Sequence, residues 1–171
     1  MIFIDGSNVY HSLRAEFHRT DLDYSKLATC LTDGRDCQRT YFYGALVDQF
    51  RDPNGFKDQQ RFLTYLKNLD YFEVRMGSLV YRGHPVPVPI EKGVDVRLAV
   101  DMLTRAYREQ YDVAVLVSGD NDFTDLVQAV KDHGKHVEVA LFGPPTSSRQ
   151  LRDAADRVIV LDAAFLGKCW K

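Results

Sequence analysis

The sequence predicts one α/β domain in which helices cover both faces of a central, mainly parallel β-sheet, a three-layer α/β/α sandwich. Short apolar runs alternate along the chain with segments of helical length and periodicity. Two of these runs, Ile2–Ile4 and Val113–Val117, are wholly apolar, which is typical of strands buried on both faces. No linker, repeat or low-complexity block interrupts residues 1–171, so we expect a single domain.

The elements follow from local composition. Strands are predicted where β-branched and aromatic residues cluster between turn residues, and helices where apolar residues recur every three or four positions. The segment Arg82–Gly93 carries three prolines at alternate positions and is predicted as an extended loop. In chain order the predicted elements are strand Met1–Asp5, helix Ser7–His18, helix Tyr24–Leu31, strand Arg39–Val47, helix Gly55–Leu69, strand Phe72–Leu79, helix Val94–Glu109, strand Val113–Ser118, helix Phe123–His133, strand Val137–Leu141, helix Ser148–Ala155 and strand Arg157–Leu161.

Charge and cysteine content restrict the function classes. The formal net charge is −2, so binding to a polyanion requires a local basic patch. The cysteines Cys30, Cys37 and Cys169 lack the close paired spacing of a zinc site and favour reduced thiols in a cytoplasmic protein. No apolar run is long enough to span a membrane, and the first residues lack the features of a signal peptide. We therefore expect a cytoplasmic protein that acts away from membranes.

Acidic residues follow two of the predicted strands. In a doubly wound sheet of order 3-2-1-4-5, the first and fourth strands are neighbours, and ligands bind beyond their carboxyl ends. Asp5 ends the first strand, and Asp120 and Asp122 follow the fourth. The helix that starts at Val94 runs back from the same edge, which places Asp95 there as well. Four acids from three segments are therefore predicted to converge.

Each acid also has a simpler explanation. Asp95 is predicted to continue the inward stripe of Leu98 or Ala99, Met102 and Ala106, yet it could merely favour the helix dipole. Asp122 could cap the helix that begins at Phe123, whereas Asp120 has no predicted capping role. Asp101, at the margin of the stripe, could be a surface acid or a residue behind the site.

Several close carboxylates without histidine indicate a hard cation. Like charges at short range raise each other's pKa, so a cation is expected among them, and oxygen ligands favour Mg²⁺ or Mn²⁺. Such ions can stabilise both the attacking and the leaving oxygen of a phosphodiester displacement. His133 and His136 straddle Gly134 at a helix end and the other three histidines are scattered, which offers little for a zinc site. The sequence contains neither a Ser-His-Asp arrangement nor a P-loop.

Three stretches resemble the NYN domain, a family of the PIN-like nuclease superfamily: FIDGSN at the start, EKGVDVRLAVDM in the middle and LVSGDNDFTDLVQAVKDHGKHVEV later. The resemblance extends in order from Ile2 to about Leu161. It implies a PIN-like, Rossmann-like fold and a ribonuclease that depends on Mg²⁺ or Mn²⁺. It implies Asp5, Asp95, Asp120 and Asp122 as metal ligands and catalytic acids and Asn8 as a polar catalytic residue, with Ser118 and Lys92 at the border of the site.

RNA, expected to be single-stranded, is the implied partner, and a homo-oligomer is left open. Candidate contacts are Ser7, Lys92, Arg97, Ser118 and Arg149, although arginines on helix faces are usually solvated. The turn Gly143–Ser148 could hold a phosphate, and Tyr10, Tyr81 and His84 could stack on bases, although tyrosine is equally common as half-buried packing.

Two other functions are open to the same sequence. One is a non-catalytic regulatory module that binds RNA or protein and retains the acidic pocket; the intact set of acids argues against wholesale loss of the site. The other is a nucleotide-binding Rossmann domain, which needs a glycine-rich loop where this chain has Asp5.

Overall fold

A seven-stranded sheet forms the centre of the molecule, in a computed structural model that describes residues 1–82, 88–144 and 147–171. Its order is β4-β3-β2-β1-β5-β6-β7. The strands are β1 (Ile2–Asp5), β2 (Thr40–Leu46), β3 (Phe72–Arg82), β4 (Val88–Lys92), β5 (Val113–Val117), β6 (His136–Leu141) and β7 (Arg157–Val160). The helices are α1 (Gly6–Phe17), α2 (Tyr24–Thr32), α3 (Pro53–Lys67), α4 (Val94–Tyr107), α5 (Thr124–Asp132), α6 (Arg149–Ala154) and α7 (Ala163–Leu166), and Asn121–Phe123 form a 3₁₀ turn.

The predicted three-layer α/β fold is confirmed. β1 pairs in parallel with β2 on one side and with β5 on the other, so the first and fourth predicted strands are indeed neighbours. All pairings are parallel except that of β3 with β4. The carboxyl ends of β1 and β5 therefore meet at one edge of the sheet, here called the carboxyl edge.

The prediction of a loop is wrong over Val88–Lys92, which form strand β4 at the end of the sheet, antiparallel to β3. Proline lacks the N–H that a central strand needs, but an edge strand can accept it because one side of its backbone pairs with no strand. Pro89 lies opposite Tyr81 in this ladder. The rest of the predicted loop, residues 83–87 with His84, falls outside the described residues.

Two apolar layers hold helices against the two faces of the sheet. On one face Phe3, Tyr43 and Leu116 pack with buried residues of α4, α5 and α6. On the other face Ile2 and Ile4 pack with α1, α2, α3 and α7. Because side chains alternate along a strand, Asp5 lies on the same face as Phe3, the face that α4 covers. No helix among the described residues is both long and apolar enough to cross a membrane.

Candidate acidic active site

Asp5 is a buried carboxylate at the end of β1, with 5% of its surface exposed. It is also the N-cap of α1, since its Oδ1 accepts a hydrogen bond of 3.1 Å from the Asn8 amide. The hydroxyl of Ser118, buried at the end of β5, donates to Asp5 Oδ2 at 2.9 Å. Two strands and a helix start therefore fix this side chain, and each of its oxygens retains a lone pair for a further ligand.

The loop after β5 is held to the same point. Asn8 Oδ1 accepts a hydrogen bond from the Gly119 amide at 2.9 Å, and Ser118 Oγ accepts one from the Asp120 amide at 3.2 Å. Asp120 Oδ1 in turn accepts from the Asp122 amide at 3.0 Å and caps the 3₁₀ turn. The cap is thus Asp120, where the sequence suggested Asp122, because a 3₁₀ turn precedes α5.

Asp95 lies at the start of α4, in the first turn, and is exposed. The sequence placed it on the buried stripe, but the stripe is Val94, Leu98, Met102 and Ala106, with Val94 four residues before Leu98. Partial burial raises the pKa of Asp95, and so do the charges of Asp120, Glu91 and Asp122. Asp95 is therefore an acid at the mouth of the site, within electrostatic reach of the loop after β5.

Burial also raises the pKa of Asp5, to about 6 from its ordinary 3.8. The hydrogen bonds from Asn8 and Ser118 act in the opposite direction, and the charges of Asp95 and Glu91 add to the increase. The carboxylates that raise the pKa values of Asp5 and Asp95 come from three segments of the chain: Glu91 from β4, Asp95 from the start of α4, and Asp120 and Asp122 from the loop after β5. A bound cation would relieve the repulsion between these carboxylates.

Glu91 is an acid that the sequence did not single out. It lies on β4, opposite Leu79, and accepts a hydrogen bond from the hydroxyl of Ser7 in the first turn of α1. The sequence contains this acid four residues before Asp95, but an extended loop does not define the direction in which a side chain points. We call Asp5, Glu91, Asp95, Asp120 and Asp122 the acidic group.

The acidic group has the type of ligand that a hard divalent cation prefers, because it consists of carboxylates around one buried acid. In their present positions, however, no three or more His, Cys, Asp or Glu side chains of the described residues are arranged so that they could hold a metal ion. Asp95 and Asp122 are exposed. Exposed side chains change rotamer at little cost, so the arrangement of these two can adjust when a ligand arrives.

The predicted RNA contacts are distributed around this edge. Ser7 reaches Glu91, and Ser118 holds Asp5, as described above. Lys92 is exposed and alternates with Glu91 along β4, so it lies on the opposite face of that strand. Arg97 donates to the Met76 carbonyl at 2.6 Å, which ties α4 to β3. Arg149 is exposed and lies 3.7 Å from Asp153.

Asp101 is a partner of the core, not a member of the acidic group. The hydroxyl of Tyr43 donates to Asp101 Oδ2 at 3.0 Å, and Arg105 lies 3.9 Å from the other oxygen. Burial raises the pKa of Tyr43, as does the charge of Asp101. The Arg105 guanidinium also lies 4.3 Å from the centre of the Tyr41 ring. Arg105 is thus engaged inside the fold.

The segment before α6 closes the other side of the site. The hydroxyl of Ser148 donates to the Gly119 carbonyl, and Asn121 Oδ1 accepts from the Leu151 amide at 3.2 Å. Arg152 donates to the carbonyls of Gly143 and Pro144 at 3.3 and 3.2 Å. Within the predicted phosphate-binding turn Gly143–Ser148, residues 145–146 lie outside the described part, and Ser148 serves to hold the loop that carries Asp120.

This chain is similar to known proteins in both sequence and structure. The sequence model of the NYN domain matches residues 1–162. The low amplitude and bright protein LabA of Synechococcus elongatus is 25% identical over 167 residues, which cover 94% of this chain and 82% of the relative. A crystal structure of a protein of unknown function from Vibrio parahaemolyticus superimposes with a TM-score of 0.75 at 27% identity, over 96% of this chain and 93% of that one.

Proposed function

This chain belongs to the NYN domain family, and on that premise we propose that it is a ribonuclease that uses Mg²⁺ or Mn²⁺ at its acidic group. PIN-like NYN domains are usually nucleases. The observation that carries the proposal is Asp5, which is buried and hydrogen-bonded by Asn8 and Ser118 yet has a pKa raised to about 6 beside other carboxylates. Holding this carboxylate charged in a buried position costs stability, and a cost of this kind indicates a functional role.

The chain's own residues would divide the work as follows. Asp5, Asp95, Asp120 and Asp122 would hold the ion, whose Lewis acidity would stabilise negative charge on the phosphate oxygens during hydrolysis of the RNA. Asn8 and Ser118 would position Asp5 and the loop that carries Asp120, through the hydrogen bonds already described. Because Asn8 bonds to the Gly119 backbone, we assign it a positioning role instead of contact with the reacting atoms.

The arrangement of the acids favours a second candidate function as well. Because the described carboxylates are not in position to hold an ion as they are, a non-catalytic module that binds RNA or protein with this edge is the alternative. The two functions differ in one measurable property, the cleavage of RNA in the presence of Mn²⁺.

The experiment is to incubate the purified protein with end-labelled single-stranded RNA in Mn²⁺, in Mg²⁺ and in chelator. We expect cleavage with metal and none with chelator. The substitution Asp120→Asn keeps the size of the side chain and its cap on the 3₁₀ turn but removes the charge, so cleavage should fall by at least about a hundredfold while the circular dichroism spectrum is unchanged.

Asp58→Asn is the matched control, because Asp58 is an exposed aspartate on α3, outside the acidic group. It should cleave as the wild type does. Full activity in Asp120→Asn would remove Asp120 from the site, and wild-type protein that binds RNA without cleaving it would select the non-catalytic module.

A further inference from the structure

The hairpin of β3 and β4 extends past the rest of the sheet at the carboxyl edge. Ser78 pairs with Leu46, the last residue of β2, so Leu79–Arg82 continue beyond that strand. At ~3.3 Å per residue, Tyr81 lies about 10 Å beyond the end of β2. The hairpin therefore forms a wall along one side of the acidic group.

Tyr81 is on the face of this wall that carries Glu91. Leu79 lies opposite Glu91, and Tyr81 lies opposite Pro89, in the antiparallel ladder. Residues opposite each other share a face, and so do residues two apart on one strand. The Cα of Tyr81 thus lies about 7 Å along the hairpin from that of Leu79, the partner of Glu91, and its side chain leaves the strand on the face that carries Glu91.

An arginine and a second aromatic ring accompany Tyr81. The guanidinium of Arg51 lies 4.2 Å from the centre of the Tyr81 ring, within the range of a cation–π contact. The Arg51 side chain is half exposed, and its Nε lies 3.8 Å from Asp48. The preceding residue, Phe50, is 88% exposed, the largest exposure of any large apolar residue among those described.

The turn that carries Phe50 has a fixed shape. Asp48 Oδ1 accepts a hydrogen bond from the Phe50 amide at 2.8 Å. The Asp48 carbonyl accepts from the amides of Arg51 at 3.2 Å and Asp52 at 2.9 Å. The ordered turn therefore keeps the Phe50 side chain exposed to solvent, where it contributes little to packing. Its apolar ring is accessible to a ligand.

We propose that Phe50, Arg51 and Tyr81 form a binding subsite for single-stranded RNA beside the acidic group. Bases stack on the ring of Phe50 and on the Arg51–Tyr81 pair, and Arg51 neutralises a backbone phosphate. The inference rests on the proposed function for the cleavage that takes place next to it, and it adds the residues that hold the strand on one side of the cut.

The chemistry favours a single strand of nucleic acid over other ligands. The net charge of −2 and the acidic group oppose a polyanion, so binding at this edge needs a local cation and stacking energy. In a duplex the bases are already stacked on one another, and only unpaired bases can use aromatic faces. The residues around Phe50 in its turn, Asp48, Gln49 and Arg51, are polar or charged and form no continuous apolar patch, which disfavours an apolar protein segment as the ligand.

The test measures binding of a fluorescein-labelled single-stranded RNA dodecamer by anisotropy, with chelator present so that the strand stays intact. We expect Phe50→Ala and Tyr81→Ala each to raise Kd by about tenfold. Arg51→Gln should reduce the slope of log K against log salt concentration by about 0.7. Phe50→Trp, which keeps an aromatic face, should bind as tightly as the wild type.

Matched controls come from the opposite edge of the sheet. Tyr107, near the end of α4, is an aromatic residue that is 63% exposed. The guanidinium of Arg19 lies 4.1 Å from the centre of the Trp170 ring, so this pair makes the same kind of cation–π contact as Arg51 and Tyr81. Tyr107→Ala and Arg19→Gln should leave Kd unchanged. An abasic strand should bind to the wild type and to Phe50→Ala alike, since it has no base to stack.

The outcomes separate the subsite from the ribonuclease. Unchanged Kd in both Phe50→Ala and Tyr81→Ala, in a protein that cleaves RNA, overturns the subsite and leaves the proposed function standing. A protein that binds the strand through Phe50 but does not cleave it with Mn²⁺ supports the subsite and removes the ribonuclease. A wild type that does not bind single-stranded RNA, or binds duplex RNA with the same dependence on Phe50, also overturns the subsite.

Discussion

Asp5 is the residue where local structure and function share one side chain. It ends a central strand, caps α1 through the Asn8 amide and accepts the Ser118 hydroxyl from the next strand. A cap by aspartate at the start of a helix normally stabilises a protein. Here burial and the neighbouring acids raise its pKa to about 6, which means that the charged form is held at a cost.

This cost leads to a prediction about stability and pH. Since the pKa of Asp5 is higher in the folded protein than its ordinary 3.8, the folded state binds the proton more tightly, and stability falls as the pH rises from about 4 to about 6. At 1.36 kcal/mol per unit, the loss above pH 6 is up to about 3 kcal/mol. We expect Asp5→Asn to regain this amount at pH 7.5 in chelator and to gain little at pH 4, as measured by urea unfolding. Asp58→Asn, at an exposed site, should change the free energy of unfolding by the same amount at both pH values. If Asp5→Asn also changes it equally at the two pH values, the charged form of Asp5 does not destabilise the fold.

At the same scale, the acids could be predicted from the sequence but their exact roles could not. The strand-end positions of Asp5 and Asp120 follow from apolar runs that stop at an acid. That Asp120 caps a 3₁₀ turn, and that Val94 instead of Asp95 continues the buried stripe, depends on shifts of a single residue in helix phase. Helix periodicity fixes a face only to within such a shift, so neighbouring positions are hard to distinguish.

At the scale of elements, the placement of the site depends on how closely the β3–β4 hairpin and α4 approach each other. Gly77 of β3 has no side chain where the chain turns from β4 into α4. A Cβ atom at this position would lie 2.8 Å from the Lys92 carbonyl oxygen and 2.8 Å from Val94 Cγ2. Neither contact is possible without movement of the segment that connects Glu91 with Asp95.

We therefore expect Gly77→Ala to lower the free energy of unfolding by about 1–3 kcal/mol, the usual cost of excess volume in a packed region, and to reduce RNA cleavage as well. Gly44→Ala on the adjacent strand β2 is the matched control, because its Cβ would lie 3.5 Å from Met76 and Phe42 side-chain atoms, an ordinary contact. Urea unfolding and initial cleavage rates measure both effects. Equal stability and rates for the two variants would contradict the close approach at Gly77.

The elements themselves show which patterns carry information. The parallel strands and helices α1–α6 are predicted to within a few residues because the alternation of apolar runs and amphipathic helices reflects burial directly. Helix α7 is not predicted, because its four residues are too few to show a helical period. Strand β4 is not predicted either. Its prolines show that N–H donors are missing, but they do not show whether the segment lies at the edge of a sheet, where a strand tolerates proline. Because β4 is missing from the prediction, Glu91 could not be assigned to the site: only a strand defines which side chains share a face.

At the scale of the whole molecule, a ligand that binds only the folded state links the acidic group to global stability. Mg²⁺ or Mn²⁺ at a concentration a hundredfold above Kd would add about 2.7 kcal/mol to the free energy of unfolding. For a chain of this size each kcal/mol changes the melting temperature by roughly 2–4 °C. Millimolar Mn²⁺ should therefore raise the melting temperature of the wild type by about 5–10 °C, as followed by circular dichroism.

The increase should be specific for the acidic group. Asp120→Asn removes one of the carboxylates that surround Asp95, so it should lose most of the increase, whereas Asp58→Asn should retain all of it. Nonspecific binding of Mn²⁺ to surface acids would raise all three melting temperatures alike and would count against the site. Because the carboxylates are not arranged to hold an ion as they are, a full response in the wild type that is lost in Asp120→Asn would also mean that the acidic group rearranges around the ion it binds.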